Sequence, residues 1–237
     1  MISHLEAQGL TKTYDGLLAL EHVNVRASTR QVTSIVGVNG AGKTTLLKIL
    51  SGLEKPSEGK ILIGERERGL EELRTHCTMV FQKSVMFGGT VYDNVAYGLR
   101  INGCSNQNIQ DRVKTVLAMV NLNGFERRKA RKLSSGEQQR VAIARALALE
   151  REVLLIDEPT ANLDPANAII VEQVIRKSAE SRIVLLSTHN LPQARRLSHR
   201  IIHLHSGRVV EDQDTAGFFA NPHDERTKLF ISGELQF

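Results

Sequence analysis

The chain has 237 residues, of which 41% are hydrophobic and 4% aromatic, enough to bury one substantial core with a smaller lobe attached. Its formal charge of +5 suits phosphate ligands or an anionic membrane surface and does not by itself indicate nucleic acid. No apolar run approaches the roughly 20 residues that cross a bilayer, and the N-terminus lacks the basic-then-apolar order of a signal peptide. We therefore expect one soluble globular unit that reaches a membrane only through a partner.

Two cysteines, Cys77 and Cys104, occur in the chain. They have neither the spacing of metal ligands nor the density of a disulfide scaffold. We predict that both are free thiols, which fits a reducing compartment.

The order of predicted elements indicates an α/β protein. Up to about Gly64, short β-type runs alternate with turn residues, which predicts antiparallel strands. From about residue 83 to residue 150 the apolar residues recur with helical spacing, which predicts an inserted helical lobe. Apolar runs at 153–156 and 183–186 flank a helical stretch at 166–179, a pattern typical of parallel βαβ units. A hairpin and a short helix are predicted to end the chain.

A glycine-rich run lies between the strand-like segment 32–36 and the helix-like segment 46–50, as in a phosphate-binding P-loop. Glycines let successive backbone N–H groups point inward, and the helix directs its positive dipole end at the phosphates. Lys43 then neutralises the outer phosphates, and the Thr44 hydroxyl is a Mg²⁺ ligand. The predicted nucleotide-binding residues of this run are Gly37, Val38, Asn39, Gly40, Ala41, Gly42, Lys43, Thr44 and Thr45. The run predicts a site for a nucleoside triphosphate.

Two adjacent carboxylates, Asp157 and Glu158, follow the apolar run 153–156, at the strand end where α/β sheets place their ligands. Asp157 is predicted to hold Mg²⁺, usually through a water molecule. Glu158 is predicted to orient and polarise the water that attacks the γ-phosphate. The alternative is that both are solvated acids at a strand end.

The segment Leu133–Glu137, which we call the signature segment, is a small-residue turn that opens a helix-like run. It resembles the signature of the ATP-binding cassette (ABC) family, usually Leu-Ser-Gly-Gly followed by Gln or Glu, and it departs from that pattern at Ser135. An ordinary helix N-cap, with Glu137 completing a capping box from Ser134, is compatible with that role.

The resemblance covers essentially the whole chain and implies the ABC ATPase fold of P-loop NTPases. That fold has a mixed RecA-like α/β core with an antiparallel β subdomain and an inserted helical subdomain. It assigns residues 1–82 and 151–237 to the catalytic core with its β subdomain. Residues 83–150 then form the helical subdomain that carries the signature segment.

Four further positions match the family in order. Gln82 resembles the Q-loop glutamine that touches Mg²⁺ and the attacking water, and Asp164 lies in a segment that resembles the D-loop at the dimer interface. His189 resembles the switch histidine that senses the γ-phosphate, and Tyr14 resembles the aromatic that stacks on adenine. Taken alone, Gln82 could simply end a strand, His189 could be merely exposed, and Tyr14 could serve packing.

The resemblance also implies an assembly of several subunits. The P-loop of one subunit faces the signature segment of a second copy, so that a head-to-tail homodimer encloses two ATP molecules with Mg²⁺. Glu158 and His189 then supply hydrolysis, and the predicted signature and interface residues are Ser134, Ser135, Gly136, Glu137 and Asp164. The implied partners are integral-membrane permease subunits and, indirectly, an extracytoplasmic solute-binding protein. The implied location is the cytoplasmic face of the membrane, held by the permease.

Residues 87–95 lie where ABC importers and exporters form the groove that receives a coupling helix of the membrane subunit. Phe87 and Tyr92 are candidate anchors for that helix, although either could equally pack in the core. The basic run 127–132 lacks interleaved aromatic residues, so we expect a solvated loop and no nucleic-acid partner.

The number of P-loops and the C-terminal tail predict which type of ABC protein this is. It has one P-loop and no long coiled coil, unlike duplicated translation ATPases and DNA-repair ATPases. Residues 230–237 are most similar to the tails of tungstate importer ATPases, which indicates import of tungstate or a related oxyanion. A polar amino-acid importer ATPase and a non-transport ABC ATPase are the alternatives.

Overall fold

The computed structural model describes residues 2–161 and 163–234. Asn162 of the D-loop-like segment and residues 235–237 of the tungstate-like tail therefore lie outside the described residues. The strands are β1 (His4–Tyr14), β2 (Leu17–Ser28), β3 (Val32–Val36), β4 (Glu58–Ile63), β5 (Arg66–Glu67), β6 (Cys77–Val80), β7 (Val153–Asp157), β8 (Ile183–Thr188), β9 (Arg200–His205) and β10 (Arg208–Asp214). The helices are α1 (Lys43–Leu50), α2 (Leu70–His76), α3 (Val91–Ile101), α4 (Asn106–Met119), α5 (Ser135–Ala148), α6 (Pro165–Ala179), α7 (Leu191–Leu197), α8 (Thr215–Ala220) and α9 (Glu225–Ser232).

A six-stranded sheet in the order β10-β9-β3-β8-β7-β6 forms the centre of the α/β core. Its strands β9, β3, β8, β7 and β6 pair in parallel, and β10 closes the predicted hairpin as an antiparallel edge. Every residue of β3, β7 and β8 is buried. Helices cover both faces of such a sheet, so its strands carry nearly unbroken apolar runs. The predicted parallel βαβ arrangement of β7, α6 and β8 is confirmed.

A second, four-stranded antiparallel sheet has the order β2-β1-β4-β5, as predicted for the first part of the chain. Its inner face shares one apolar cluster with α1 and the central sheet, in which Leu20 and Ile61 join Leu46 and Ile35. The P-loop helix is therefore held between the two sheets.

Helices α3, α4 and α5 pack on one another through a further apolar cluster that contains Val95, Val116 and Ile143. This cluster also includes Val80 and Ile156 of the central sheet. The helical spacing of residues 83–150 thus corresponds to three helices that rest on one side of the core.

Among the described residues, no helix combines the length and apolar character that crossing a bilayer requires. Both cysteines are free, as predicted, with Cys77 buried and Cys104 exposed.

Candidate functional site

A cleft of about 340 Å³ lies beside the P-loop, near the carboxyl ends of β3 and β7. Residues from five separate parts of the chain line it: Leu18, Ala19, Asn39, Gly40, Gly42, Lys43, Thr44, Thr45, Gln82, Glu158, Ser206 and Gly207. The cleft thus brings together the P-loop, Gln82 and Glu158. Crevices at the carboxyl ends of parallel strands are the usual ligand sites of α/β proteins.

Gly42 shapes the P-loop at the start of α1. Its φ of 102° lies in the region that favours glycine, and a Cβ there would stand 2.8 Å from the Ala19 carbonyl oxygen. A side chain at this position would be strained and would collide with backbone. The loop can therefore lie against β2 only with glycine here.

Lys43 is buried and its ammonium group is held by oxygen atoms. Its Nζ donates to the carbonyl oxygens of Gly37 at 2.9 Å and of Val38 at 3.0 Å, and lies 3.7 Å from Oε1 of Glu158. Burial lowers the pKa of Lys43, and the charges of Glu158 and Asp157 oppose that shift. The loop carbonyls therefore keep a desolvated cation at the floor of the cleft.

Asp157 joins the P-loop to the neighbouring strand. Its Oδ2 accepts a hydrogen bond from Oγ1 of Thr44 at 2.7 Å, and its Oδ1 accepts one from Oγ of Ser187 at 2.5 Å. Both carboxylate oxygens thus have protein donors, which fixes the orientation of the group.

Glu158 follows directly and has an unusual backbone conformation. Its φ is 46°, a region that few residues other than glycine adopt, and its N–H donates to both the carbonyl and the hydroxyl of Ser187 at 3.1 Å. Its Oε2 lies 3.0 Å from Nδ1 of His189, whereas the buried Oε1 has no hydrogen-bond partner among the described residues. An oriented carboxylate beside the P-loop cleft, with an acceptor oxygen that has no hydrogen bond among the described residues, can accept a proton from water.

The oxygen donors at this cleft fit Mg²⁺. Thr44 offers a hydroxyl, Asp157 a carboxylate and the exposed Gln82 an amide oxygen, all hard donors of the kind that Mg²⁺ prefers. Within the described part of the chain, no cluster of three or more His, Cys, Asp and Glu side chains is placed to bind a metal. Mg²⁺ usually takes one or two protein ligands and completes its shell with phosphates and water, so these donors suffice.

The signature segment opens α5 through a capping box, as predicted. Oγ of Ser134 accepts from the N–H of Glu137 at 3.3 Å, and Oε2 of Glu137 accepts from the N–H of Ser134 at 2.8 Å. The second bond holds the pKa of Glu137 below its usual value. Ser135 and Gly136 therefore lie in the first turn of α5, where Ser135 is exposed and Gly136 is buried.

The side chain of Asn167 lies between Gly136 of the signature segment and Asp164 of the D-loop-like segment. A Cβ on Gly136 would lie 2.7 Å from Cγ of Asn167, and Asn167 donates from its backbone N–H to Asp164 at 3.0 Å and from its side chain at 2.5 Å. These bonds make Asp164 the N-cap of α6 and lower its pKa.

Two predicted groups lie away from the nucleotide cleft. Among the described residues that line it, none comes from the signature segment. Ser135 instead borders a separate cleft of about 400 Å³ that it shares with Gln82. Tyr14 is partly exposed, and Nζ of Lys12 lies 4.6 Å from the centre of its ring. From this part of the chain, the residues that border the nucleotide cleft are Leu18 and Ala19.

Several polar residues that support the site were not predicted from the sequence. Ser187 contacts Asp157 and Glu158, and the buried Gln193 joins Oγ1 of Thr188 at 2.9 Å to Oγ1 of Thr160 at 2.6 Å. The two hydroxyl residues that end the apolar run 183–188 were the sequence pattern that could have indicated a role for Ser187. No comparable pattern marks Gln193.

An apolar groove of about 420 Å³ lies beside the helical lobe. Its lining residues are Thr78, Met79, Val80, Phe81, Lys83, Ser84, Val85, Phe87, Tyr97, Gly98, Ala142, Arg145, Ala146 and Leu149. Phe87 lies at the groove, its ring centre 4.7 Å from that of Tyr97. Tyr92 packs on the core cluster instead, so of the two candidate anchors only Phe87 borders the groove.

One short segment, residues 81–87, borders several surfaces. Gln82 lines the nucleotide cleft, Ser84 hydrogen-bonds Gln139 of α5, and Phe87 lines the apolar groove. The carboxamide of the buried Asn94 holds Phe87 by accepting from its N–H at 2.8 Å.

The ABC transporter family model matches residues 20–161 of this chain. The "Phosphate import ATP-binding protein PstB 3" of Streptococcus pneumoniae serotype 4 is 35% identical over 237 aligned residues, covering 94% of this chain and 95% of that protein.

Two solved structures are similar over most of their length. CbiO1 from Clostridium perfringens, described as part of the ABC transporter complex cbiONQ, superposes with a TM-score of 0.84 at 29% identity and covers 93% of this chain and 92% of that one. A dimeric post-hydrolysis state of the ATP-binding cassette MJ0796, bound to ADP and Pi, gives 0.82 at 32% identity, with 89% and 98% covered. With the P-loop cleft and the paired acids after β7, these matches show that the chain belongs to the ABC transporter family as an ATP-hydrolysing cassette.

Proposed function

We propose that this cassette hydrolyses ATP as the motor of an importer for an inorganic oxyanion of the phosphate or tungstate class. The observation that carries the catalytic assignment is the buried Glu158 carboxylate, held between Lys43 and His189, whose Oε1 has no hydrogen-bond partner among the described residues. Similarity to a phosphate import ATP-binding protein supports the importer assignment.

In this proposal each residue at the cleft has one task. Lys43 and the P-loop N–H groups bind the phosphates, and His189 holds Glu158 in place. Oε1 of Glu158 accepts a proton from the water that attacks the γ-phosphate. Gln82 borders the same cleft and contacts that water.

Thr44 and Asp157 would hold Mg²⁺, with Gln82 as a further oxygen donor. When bound, the cation neutralises charge on the β- and γ-phosphate oxygens. A hydrogen bond of 2.7 Å joins Thr44 to Asp157 and orients the two oxygen donors toward each other.

The proposed active unit is a homodimer, because the signature segment does not line its own nucleotide cleft. In the closed dimer, Ser134, Ser135, Gly136 and Glu137 of one copy cover the ATP bound to the other, and Asp164 lies at the interface. ATP favours this state because it contacts both copies only when the dimer is closed. The dimeric structure of the MJ0796 cassette supports this arrangement.

The Glu158→Gln variant tests the catalytic and dimer assignments together. The amide keeps the shape of the side chain but cannot take the proton, so ATP should bind while turnover falls at least ~100-fold. Saturating Mg-ATP should then shift the variant from monomer to dimer in light scattering, whereas ADP should not. A variant that stays monomeric in Mg-ATP would contradict the sandwich arrangement.

Uptake assays test the cargo. Cells that express this chain with the membrane subunits that copurify with it and a solute-binding protein should take up phosphate or tungstate in an ATP-dependent manner. Transport of a polar amino acid without oxyanion uptake would favour the alternative importer. Failure of the chain to copurify with any membrane subunit would favour a non-transport ATPase.

A further inference from the structure

The two loops that carry Glu158 and His189 follow neighbouring strands of the central sheet. The paired residues of β7 and β8 end with Asp157 and Ser187, so Glu158 and His189 both lie beyond the last pair of this ladder. The N–H of Glu158 still donates to the carbonyl and the hydroxyl of Ser187. The ladder therefore fixes the backbone of Glu158 but does not by itself set the position of His189.

A buried side chain, Gln193 of α7, joins these two loops. Its Oε1 accepts a hydrogen bond from Oγ1 of Thr188 at 2.9 Å, and its Nε2 donates one to Oγ1 of Thr160 at 2.6 Å. Only 1% of the surface of Gln193 is exposed. Thr188 directly precedes His189, and Thr160 lies in the turn that follows Glu158. The side chain thus bridges the residue before the histidine and the turn after the glutamate.

Gln193 is itself held in place by the start of α7. Its backbone N–H donates to Oδ1 of Asn190 at 2.9 Å, and the N–H of Asn190 donates to Oγ1 of Thr188 at 3.0 Å. The Thr188 hydroxyl therefore accepts one hydrogen bond and donates another. Both polar atoms of the Gln193 side chain have partners, so moving it would leave a buried donor or acceptor unpaired. The bridge consequently has one favoured geometry.

The bridge and the contact between Glu158 and His189 close a ring. On one side Nδ1 of His189 lies 3.0 Å from Oε2 of Glu158, and on the other side Gln193 joins the two threonines. The histidine side chain is more than half exposed, whereas Gln193 is buried, where water competes less for its hydrogen bonds. None of the described residues that line the nucleotide cleft belongs to the bridge. The bridge can therefore orient the side chains around the reacting water without contacting ATP.

We propose that Gln193 is a positioning residue for ATP hydrolysis, which keeps His189 within hydrogen-bond distance of Glu158. This inference rests on the proposed function, because it assumes that Glu158 accepts the proton from the attacking water. Without the bridge, the loops after β7 and β8 move apart more often, and the contact between His189 and Glu158 is lost with them. The chemical step then slows, while ATP binding at the P-loop is unchanged.

Steady-state ATP hydrolysis by the purified full-length chain tests this role. Gln193→Met keeps the length of the side chain and removes both hydrogen bonds. It should lower kcat at least ~tenfold and leave KM for ATP within about twofold of its usual value. Thr160→Val should also lower kcat, because it removes one end of the bridge. Thr160→Ser keeps the hydroxyl and should turn over ATP as the unmodified chain does.

Thr227→Val is the matched control for the loss of a buried hydrogen bond. It removes the hydroxyl that lies 2.9 Å from Nδ1 of His203, and Thr227 is not among the residues that line the nucleotide cleft. This variant should be less stable in urea but keep its kcat. Urea unfolding also shows whether Gln193→Met folds, and if it does not, the two Thr160 variants decide the question. An equal loss of kcat in Thr227→Val would show that lowered stability, and not lost positioning, slows turnover.

A double-variant cycle separates this proposal from the proposed function. In the His189→Ala background, Gln193→Met should have no further effect on kcat, because the side chain that it positions is gone. If Gln193→Met slows turnover by the same factor with and without His189, or leaves kcat unchanged in the otherwise unmodified chain, the positioning role is wrong while the proposed function stands. If His189→Ala and Glu158→Gln both turn over ATP normally, the catalytic assignment of the proposed function is wrong, and the role of Gln193 is wrong with it.

Discussion

Nδ1 of His189 lies 3.0 Å from Oε2 of Glu158, while the other oxygen of that carboxylate has no hydrogen-bond partner among the described residues. The histidine side chain is more than half exposed and the glutamate side chain is buried, so an exposed residue holds a buried carboxylate. This geometry makes His189 a positioning residue for Glu158.

His189→Ala should therefore lower ATP turnover, by about 100-fold, with little change in ATP affinity. If the histidine acts through Glu158, the double variant with Glu158→Gln should be hardly slower than Glu158→Gln alone. Single-turnover kinetics of the four proteins measure this coupling. Additive losses would show that the two residues act independently.

Lys43→Met should weaken ATP binding by at least tenfold, because it removes the cation and keeps most of the apolar stem. The buried Glu158 would also lose its nearest cation, 3.7 Å away. Titration with a fluorescent nucleotide measures the affinity. Lys48→Met on the same helix is the control and should bind ATP normally, since Lys48 is not among the residues that line the cleft.

Gly136→Ala should lower ATPase activity with little effect on stability. The added Cβ would stand 2.7 Å from Asn167, whose side chain then has to move away from Asp164. Combining it with Asn167→Ala distinguishes two causes. Recovery of activity would show that the crowding of Asn167 was responsible, and continued loss would show that the turn itself requires glycine.

Stability should fall in mild acid because of His203. Burial lowers the pKa of His203 to about 4. The centre of its ring lies 4.6 Å from that of the stacked Phe230 ring, and its Nδ1 lies 2.9 Å from Oγ1 of Thr227. The unfolded chain takes up a proton near pH 6.5 and the folded chain does not, so lowering the pH favours unfolding. The free energy of unfolding keeps its full value above pH ~6.5 and falls by about 3 kcal/mol as the pH approaches 4.

Urea unfolding at a series of pH values checks this expectation. The difference in unfolding free energy between the unmodified chain and His203→Phe should change between pH ~7 and ~4. Parallel curves for the two proteins would show that His203 does not titrate as described.

Thiol reagents should distinguish the two cysteines. Burial raises the pKa of Cys77 to about 12, whereas Cys104 is exposed. Only the thiolate reacts, so one thiol per folded chain should be labelled rapidly at pH 8, and Cys104→Ser should abolish that fast phase. A fast phase that remains in Cys104→Ser would contradict the burial of Cys77.

The sequence predicted best those features that short-range patterns determine. Unbroken apolar runs indicated the parallel strands β7 and β8, and the spacing of Ser134 and Glu137 indicated the capping box. The short helix α2 was not predicted, because its seven residues include one buried side chain, Leu73, and so show no periodicity.

Contacts between distant segments could not be read from the sequence. Tyr97 replaces Tyr92 beside Phe87 because the rotation of α3 against the core decides which aromatic side chain is covered. Likewise, the bonds of Gln193 to Thr160 and Thr188 depend on how two loops meet. Neither arrangement leaves a local pattern.

The segment from residue 81 to residue 87 touches the nucleotide cleft at one end and the apolar groove at the other. If its two ends move together, the ligands of both surfaces are thermodynamically linked. A membrane subunit that binds tenfold more tightly to the ATP-loaded cassette must then raise the affinity of the cassette for ATP by the same factor. Under the proposed function, cargo at the far side of the membrane is then sensed here as a change in nucleotide affinity, without contacting this chain.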